Sequence, residues 1–209
     1  TVRTEPSFVL PKILWFKRHR PDLFERTRTF LPAADFLKGQ LTGEFDSTDF
    51  SNAVNTGYDL HAYRWPPGLE EKLGIPLHKL PRVLKTGDPA GELCRELRDA
   101  AGAGERVPVV AGATDSTTGF YASGARIPGD WNTTLGTGLG LRGMAMRFIP
   151  DVEGLVYAHR HPEGYWLPGA ASNTGGEALR LFFGDRLKEY DRRIENTPPT
   201  GGLVYPLVR

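Results

Sequence analysis

Apolar residues cluster along the first part of the chain, whereas short apolar runs broken by glycine and proline dominate after residue 129. Phe8, Leu10, Ile13, Leu14, Trp15 and Phe16 form one apolar group, so residues 8–41 read as helical. Pro11 falls early in that helix, where its missing N–H does little harm. Pro21 interrupts it, and Pro32 opens a second helix whose Phe36, Leu37 and Leu41 share a face, with Gly43 as its C-cap. Residues 44–66 are polar, predicting loop and a short helix. Pro66-Pro67-Gly68 is a break, and Leu69 to Leu73 gives a short helix stopped by Gly74. Ala90 to Ala101 reads as a helix carrying Cys94. The β-branched run Val107 to Gly112 predicts a short buried strand. Asp115 follows it, and Ser116 to Ala122 begins a helix anchored by Phe120 and Tyr121.

From Gly129 the texture is β. Asp130–Leu135 and Leu139–Met144 flank Gly136-Thr137-Gly138, predicting a hairpin. Leu155–Arg160 and Tyr165–Pro168 flank Pro162-Glu163-Gly164, predicting a second. Asn173-Thr174-Gly175-Gly176 leads into a helix bearing Ala178, Leu179, Leu181, Phe182 and Phe183. Thr197 to Gly202 reads as loop, and Leu203 to Leu207 as a strand without its continuation. The change of texture places a domain boundary near Ile127–Gly129, dividing the chain into 1–128 and 129–209; no internal repeat is visible.

Composition narrows the function classes. A content of 39% hydrophobic and 24% charged residues is that of a folded soluble protein. The 26 basic residues against 25 acidic ones leave a net charge of +1, which argues against a nucleic-acid footprint. The cluster Lys17-Arg18-His19-Arg20 reads as the solvated end of a helix. One cysteine, Cys94, permits no internal disulfide and suits a reducing cytoplasm. No apolar run is long enough to span a bilayer, and no signal peptide opens the chain. A start at Thr1 without Met is compatible with a fragment or a processed chain.

Two short motifs carry chemistry. Asp115, at the carboxyl end of a predicted strand in Ala111-Gly112-Ala113-Thr114-Asp115-Ser116, reads alone as either a helix cap or a functional carboxylate. Gly136-Thr137-Gly138 reads alone as a tight turn. Together they meet the needs of phosphoryl transfer: a base to orient a hydroxyl nucleophile, and backbone N–H groups that approach a phosphate closely. Thr137 adds a hydroxyl donor.

Other candidates read as structural. His159 and His161 could share a strand face, but no third metal ligand is near, so no metal site is expected. Trp15, Trp65, Trp131 and Trp166 read as packing residues. Ser123 lacks the first glycine of a Gly-x-Ser-x-Gly elbow. Asp46, Asp49 and Asn52 read as a solvated loop.

The order Leu80-Pro81, Gly87, Gly91, Val107-Pro108-Val109, Ala111 to Ser116, Ala122-Ser123-Gly124-Ala125, Pro128-Gly129 and Leu135 to Gly138 resembles the FGGY carbohydrate kinases. Upstream, Pro11 to Trp15, Ala34 to Leu37 and Gln40 to Gly43 are similar to helices of that family. Downstream, Gly169 to Asn173, Gly175-Gly176 and Phe182-Phe183 look most like its D-ribulose kinase and xylulokinase-like branch. The resemblance runs from about Pro11 to Leu207. It implies an α/β, actin-like ATPase (ribonuclease-H-like) fold of two domains with a cleft between them, of which only the middle part is present. Residues 1–128 would close the sugar-binding domain, and 129–209 would open the nucleotide-binding domain.

The resemblance further implies ATP-dependent phosphorylation of a sugar hydroxyl, with a ketopentose such as D-ribulose or D-xylulose as acceptor. Asp115 matches the family's catalytic base, and Ser116 beside it matches a sugar contact. Gly136, Thr137 and Gly138 match the loop that holds the ATP phosphates, and Gly175 and Gly176 a turn near the nucleotide. Mg²⁺ would arrive with ATP, held mainly by phosphates and water. The partners are then sugar and ATP, with neither nucleic acid nor membrane; a homodimer is compatible with this. The family's amino-terminal Asp-x-Gly-Thr-like loop and its Gly-Gly-rich adenosine site are both missing. The chain is therefore expected to be an internal piece, starting about 130 residues into a longer kinase. Two other readings stay open: a truncated, non-catalytic sugar- or partner-binding chain, and an acetate-kinase-like or chaperone-type ATPase of the same superfold.

Overall fold

The computed structural model describes residues 8–198, together with Pro6 and residues 200–202. The predicted strand at Leu203 to Leu207 lies outside the described residues. Three helices open the chain: α1 (Val9–His19), α2 (Pro21–Arg26) and α3 (Ala33–Thr42). Pro21 starts α2 rather than merely breaking α1, because a first-turn proline forfeits no helical hydrogen bond. Gly43 ends α3 at φ 81°, a left-handed conformation that favours glycine. Ile13 of α1 and Phe24 of α2 meet Leu69, Ile75 and Leu80 in the first core cluster.

A buried lysine ties that cluster together. Lys79 Nζ donates to the carbonyls of Phe24, Glu25 and Thr27 at 3.1, 2.9 and 2.6 Å, satisfying the open carboxyl end of α2 with a cation. Lys79→Met keeps the aliphatic stem but leaves those carbonyls without their donor. It is expected to cost about 2 kcal/mol of unfolding free energy, read from the urea midpoint.

Four short strands follow the helices. β1 (Ser47–Asp49) pairs in parallel with β2 (Arg82–Leu84), with Thr48 opposite Val83. β3 (Pro89–Glu92) pairs antiparallel with β4 (Pro108–Val110) through an irregularity between Pro89 and Gly91. Between these strands lie α4 (Phe50–Ala53) and α5 (Gly68–Glu71), and α6 (Arg95–Ala101) connects β3 to β4.

Two expectations are corrected in this region. The predicted helix at Ala90–Ala101 begins only at Arg95; its first residues form β3, where Gly91 takes φ 145° and its bare Cα lies against Thr42. Cys94 precedes the helix and donates its N–H to the Leu41 carbonyl at 2.8 Å, joining this segment to α3. The strand read at Val107–Gly112 forms, but it is not buried: Val110 is 51% exposed.

The remaining elements are α7 (Asp115–Ala122), β5 (Trp131–Leu135), β6 (Leu139–Gly143), β7 (Tyr157–Arg160), β8 (Trp166–Ser172), α8 (Gly176–Phe183) and α9 (Leu187–Ile194). Both predicted hairpins form. They join in one antiparallel sheet of order β5-β6-β8-β7. Two core clusters bind this sheet to the earlier residues. Trp166 packs with Phe50, Ala53, Tyr58 and Leu60, and Phe120 of α7 packs with Met144 and Leu167. Trp65 packs against the first core cluster and the Trp166 cluster, but Trp15 and Trp131 are more than half exposed, so packing accounts for only part of the tryptophan set. Among the described residues no helix is long and apolar enough to cross a membrane.

Candidate functional site

A cleft of about 460 Å³ opens where α7 faces the β5–β6 hairpin. Asp115 and Ser116 line it from the first turn of α7, and Gly136 and Gly138 from the hairpin tip. Asp115 is exposed and stands at the first helical position, after Thr114 as the cap residue. Its Oδ1 accepts the Ser116 N–H at 2.7 Å, its one hydrogen bond among the described residues, which leaves the carboxylate open to the cleft. The approach to Asp115 is anchored from behind. Thr114 N–H donates to Ser51 Oγ at 2.7 Å, and Ser51 Oγ donates to Asp49 Oδ1 at 2.5 Å. Asp49 is 2% exposed and caps α4 by accepting the Ser51 and Asn52 N–H groups. The solvated-loop reading of Asp49 is thus overturned, because a cap whose acceptors meet backbone donors can be buried. Asp46 does face solvent, 3.6 Å from Arg82.

The hairpin tip rests on glycine. Gly176 N–H donates to the Gly136 carbonyl at 2.7 Å, and Glu177 N–H to the Thr137 carbonyl at 3.2 Å, so the amino end of α8 holds the turn by its carbonyls. A Cβ on Gly175 would overlap the backbone of Gly138, and one on Gly176 would come within 2.7 Å of the Gly136 oxygen. Only glycine permits this approach. The turn's carbonyls face α8, while the N–H groups of Thr137 and Gly138 have no backbone acceptor among the described residues. Thr137 is exposed at the apex. Gly175 and Gly176 stand behind the turn, and neither is part of the cleft wall.

Sequence reasoning missed Arg142. It lies on β6, is 5% exposed and also lines the cleft. Its Nη1 donates to Thr117 Oγ1 at 2.8 Å and its Nη2 to Ser116 Oγ at 3.2 Å. The only signal was one basic residue inside a glycine-rich apolar strand.

His159 on β7 feels that arginine. Burial first, and then the Arg142 charge, push its imidazole down to about 4, and its Nδ1 is sealed without a partner. Between pH 6.5 and 4 the unfolded chain takes up a proton that the folded chain refuses, so stability is present above this window and falls on acidification. The loss is expected to be on the order of 2–3 kcal/mol, and His159→Leu is expected to flatten that part of the stability–pH profile in urea titrations.

The model of the FGGY family of carbohydrate kinases, N-terminal domain, matches residues 2–121, more than half of the chain and including Asp115. The chain belongs to the FGGY family of carbohydrate kinases. This FGGY chain is 29% identical to the xylulose kinase of Bacillus subtilis (strain 168) over 161 residues, covering 76% of the chain and 32% of that protein. It is 34% identical over 116 residues to the autoinducer-2 kinase of Enterobacter sp. (strain 638), covering 55% of the chain and 22% of that protein. Among solved structures, a xyloylose (xylulose) kinase from Brucella ovis superposes with a TM-score of 0.84 at 29% identity, over 94% of the chain and 42% of its own. The FGGY chain thus spans about a third of the length of the curated xylulose kinase it matches, and its mixed α/β fold corresponds to the amino-terminal part of FGGY kinase structures.

Proposed function

We propose that this chain supplies the base and a phosphate-holding turn of an ATP-dependent carbohydrate kinase whose acceptor is a ketopentose such as D-xylulose or D-ribulose. The observation that carries this reading is the shared cleft: the open Asp115 carboxylate and Gly138, whose N–H has no backbone acceptor among the described residues, line the same space, with Thr137 exposed at the apex of the same turn. The names of the xylulose kinase relatives support the choice of sugar. In the reaction, Asp115 accepts the proton of a sugar hydroxyl as its oxygen bonds to the terminal phosphorus of ATP. The bond from that phosphorus to the bridging oxygen breaks, and ADP leaves with the electron pair. Ser116, next to the base, contacts the sugar. The N–H groups of Thr137 and Gly138 and the Thr137 hydroxyl hold phosphate oxygens, Gly136 closes the turn by donating its N–H to the Gly138 carbonyl, and Gly175 and Gly176 keep the turn in place.

The cleft wall suits a hard cation only as an outer partner. It offers one carboxylate, Asp115, with the hydroxyls of Ser116, Thr134 and Ser172. That donor set fits Mg²⁺ held chiefly by phosphates and water, where it would neutralise phosphate charge. In this reading residues 1–128 complete a sugar-binding domain, and residues 129–209 begin a nucleotide-binding one.

The test is phosphorylation by the product of the complete reading frame, offered ATP and a panel of ketopentoses, with ADP release as the readout. Turnover with D-xylulose or D-ribulose is expected. Sugar binding by calorimetry without ADP release would replace the kinase with a non-catalytic binding role.

A further inference from the structure

Arg142 carries a charge that the fold itself does not use. Its side chain is buried, its hydrogen bonds among the described residues go to the neutral hydroxyls of Ser116 and Thr117, and its guanidinium lies 5.5 Å from the centre of the Tyr157 ring. Among the described residues no carboxylate pairs with it. A buried, unpaired cation is strongly unfavourable, and a guanidinium has more N–H donors than these two contacts use. Had the side chain served only to fasten β6 to α7, a neutral donor would suffice for two hydroxyls. What remains is the cleft, which Arg142 lines together with Asp115 and the glycine turn.

We propose that Arg142 is an anion-binding residue of this cleft, and that the anion is the phosphoryl group in transit between ATP and the sugar hydroxyl. The identity of that anion rests on the kinase reading; the existence of the anion site does not. A guanidinium here would offset the negative charge spread over the equatorial oxygens while Asp115 takes the proton, and its planar fork can engage two oxygens at once. Its bond to Ser116 Oγ also holds the first turn of α7, so base and cation keep a fixed relation.

The experiment titrates inorganic pyrophosphate into the 209-residue chain by calorimetry, with thermal melts recorded for every variant. Arg142→Gln is expected to weaken binding by about ten- to a hundredfold. Arg142→Lys keeps the charge, is expected to fold, and loses the fork; it should weaken binding by about three- to tenfold. Thr117→Val removes the shorter hydroxyl contact but keeps the guanidinium, and should stay within about threefold of the parent. Wild-type affinity in Arg142→Lys and Arg142→Gln would overturn the proposal, as would an equal loss in Thr117→Val. So would a parent chain that binds no pyrophosphate at millimolar concentration. Sugar phosphorylation by the complete protein, with Arg142→Gln still binding pyrophosphate normally, sinks the arginine and spares the kinase. The converse pattern spares the anion site alone.

Discussion

Asp115→Ala is expected to lower the turnover number for the proposed sugar phosphorylation by about 10²–10⁴-fold, the range for loss of a general base. The complete protein is the one to assay, with ADP release as the measurement. Among the described residues the carboxylate accepts one hydrogen bond, from the N–H of the next residue, and it is exposed in the cleft, so its loss hardly disturbs packing. A first-turn acid at a helix amino end is worth about 0.3–1 kcal/mol, which sets the melting change expected of Asp115→Ala. Asp115→Asn preserves shape and should be nearly as inactive, because an amide cannot take the proton. Phosphate binding at the glycine turn should persist in both variants, so a fall in turnover without loss of ATP affinity is the signature of a base. Unchanged turnover in Asp115→Ala would leave the carboxylate as a helix-start residue and detach the family likeness from this mechanism.

The parts of this site that could be read along the chain were those written in single residues with few alternatives. The glycine turn is one: Gly138, Gly175 and Gly176 lie so close to neighbouring backbone that a Cβ on any of them would clash. Both hairpins were legible for a similar reason, since glycine-bearing turns punctuate apolar runs. What stayed hidden depends on contacts between distant segments. β1 is Ser47-Thr48-Asp49, three polar residues, yet all three are buried. No hydrophobic period marks such a strand; its burial follows from β2 alongside and from the cap that Asp49 places on α4. The segment at Ala90 fails in the opposite direction. Its Ala, Glu and Leu favour a helix, but Gly91 at φ 145° lies against Thr42 in a place no side chain could occupy, and the strand wins. Val110 shows that a β-branched run predicts extension but not depth, since a three-residue strand can leave a face open. Arg142 could not be assigned because its partners, Ser116 and Thr117, lie more than twenty residues away on another element.

Lys38→Met is the substitution expected to harm the fold most, by about 3–5 kcal/mol. Asp35 and Lys38 lie one turn apart on α3 at 5% and 7% exposure, an ion pair 3.0 Å long in the protein interior. Lys38 Nζ also donates to the Ser47 carbonyl at 2.5 Å, where β1 begins. Burial pushes the Asp35 carboxyl above its usual range, with Thr48 and Lys38 pulling it back. The Thr48 hydroxyl is close enough to act on that charge, although it makes no hydrogen bond of acceptable geometry. Taking away the lysine leaves this carboxylate buried without a partner, so it must stay charged at high cost or take up a proton. Protonation relieves the strain, because a raised folded pKa means stability falls as pH rises from 3.8 through the folded value. The deficit of Lys38→Met should therefore shrink as urea titrations move to acid pH. The double variant Asp35→Leu with Lys38→Met removes both charges and should return to within about 1 kcal/mol of the parent, since a buried pair often stabilises no more than apolar residues of similar size. A single variant that costs nothing at neutral pH would mean that solvent reaches Asp35 despite its burial. The pair also bears on the cleft, because the Ser47 carbonyl starts the strand that delivers Asp49, then Ser51, then the Thr114 N–H next to Asp115. Loosening α3 should therefore lower turnover in Lys38→Met even where the chain remains folded, and the double variant, which lacks the same tether, should share that loss while regaining stability.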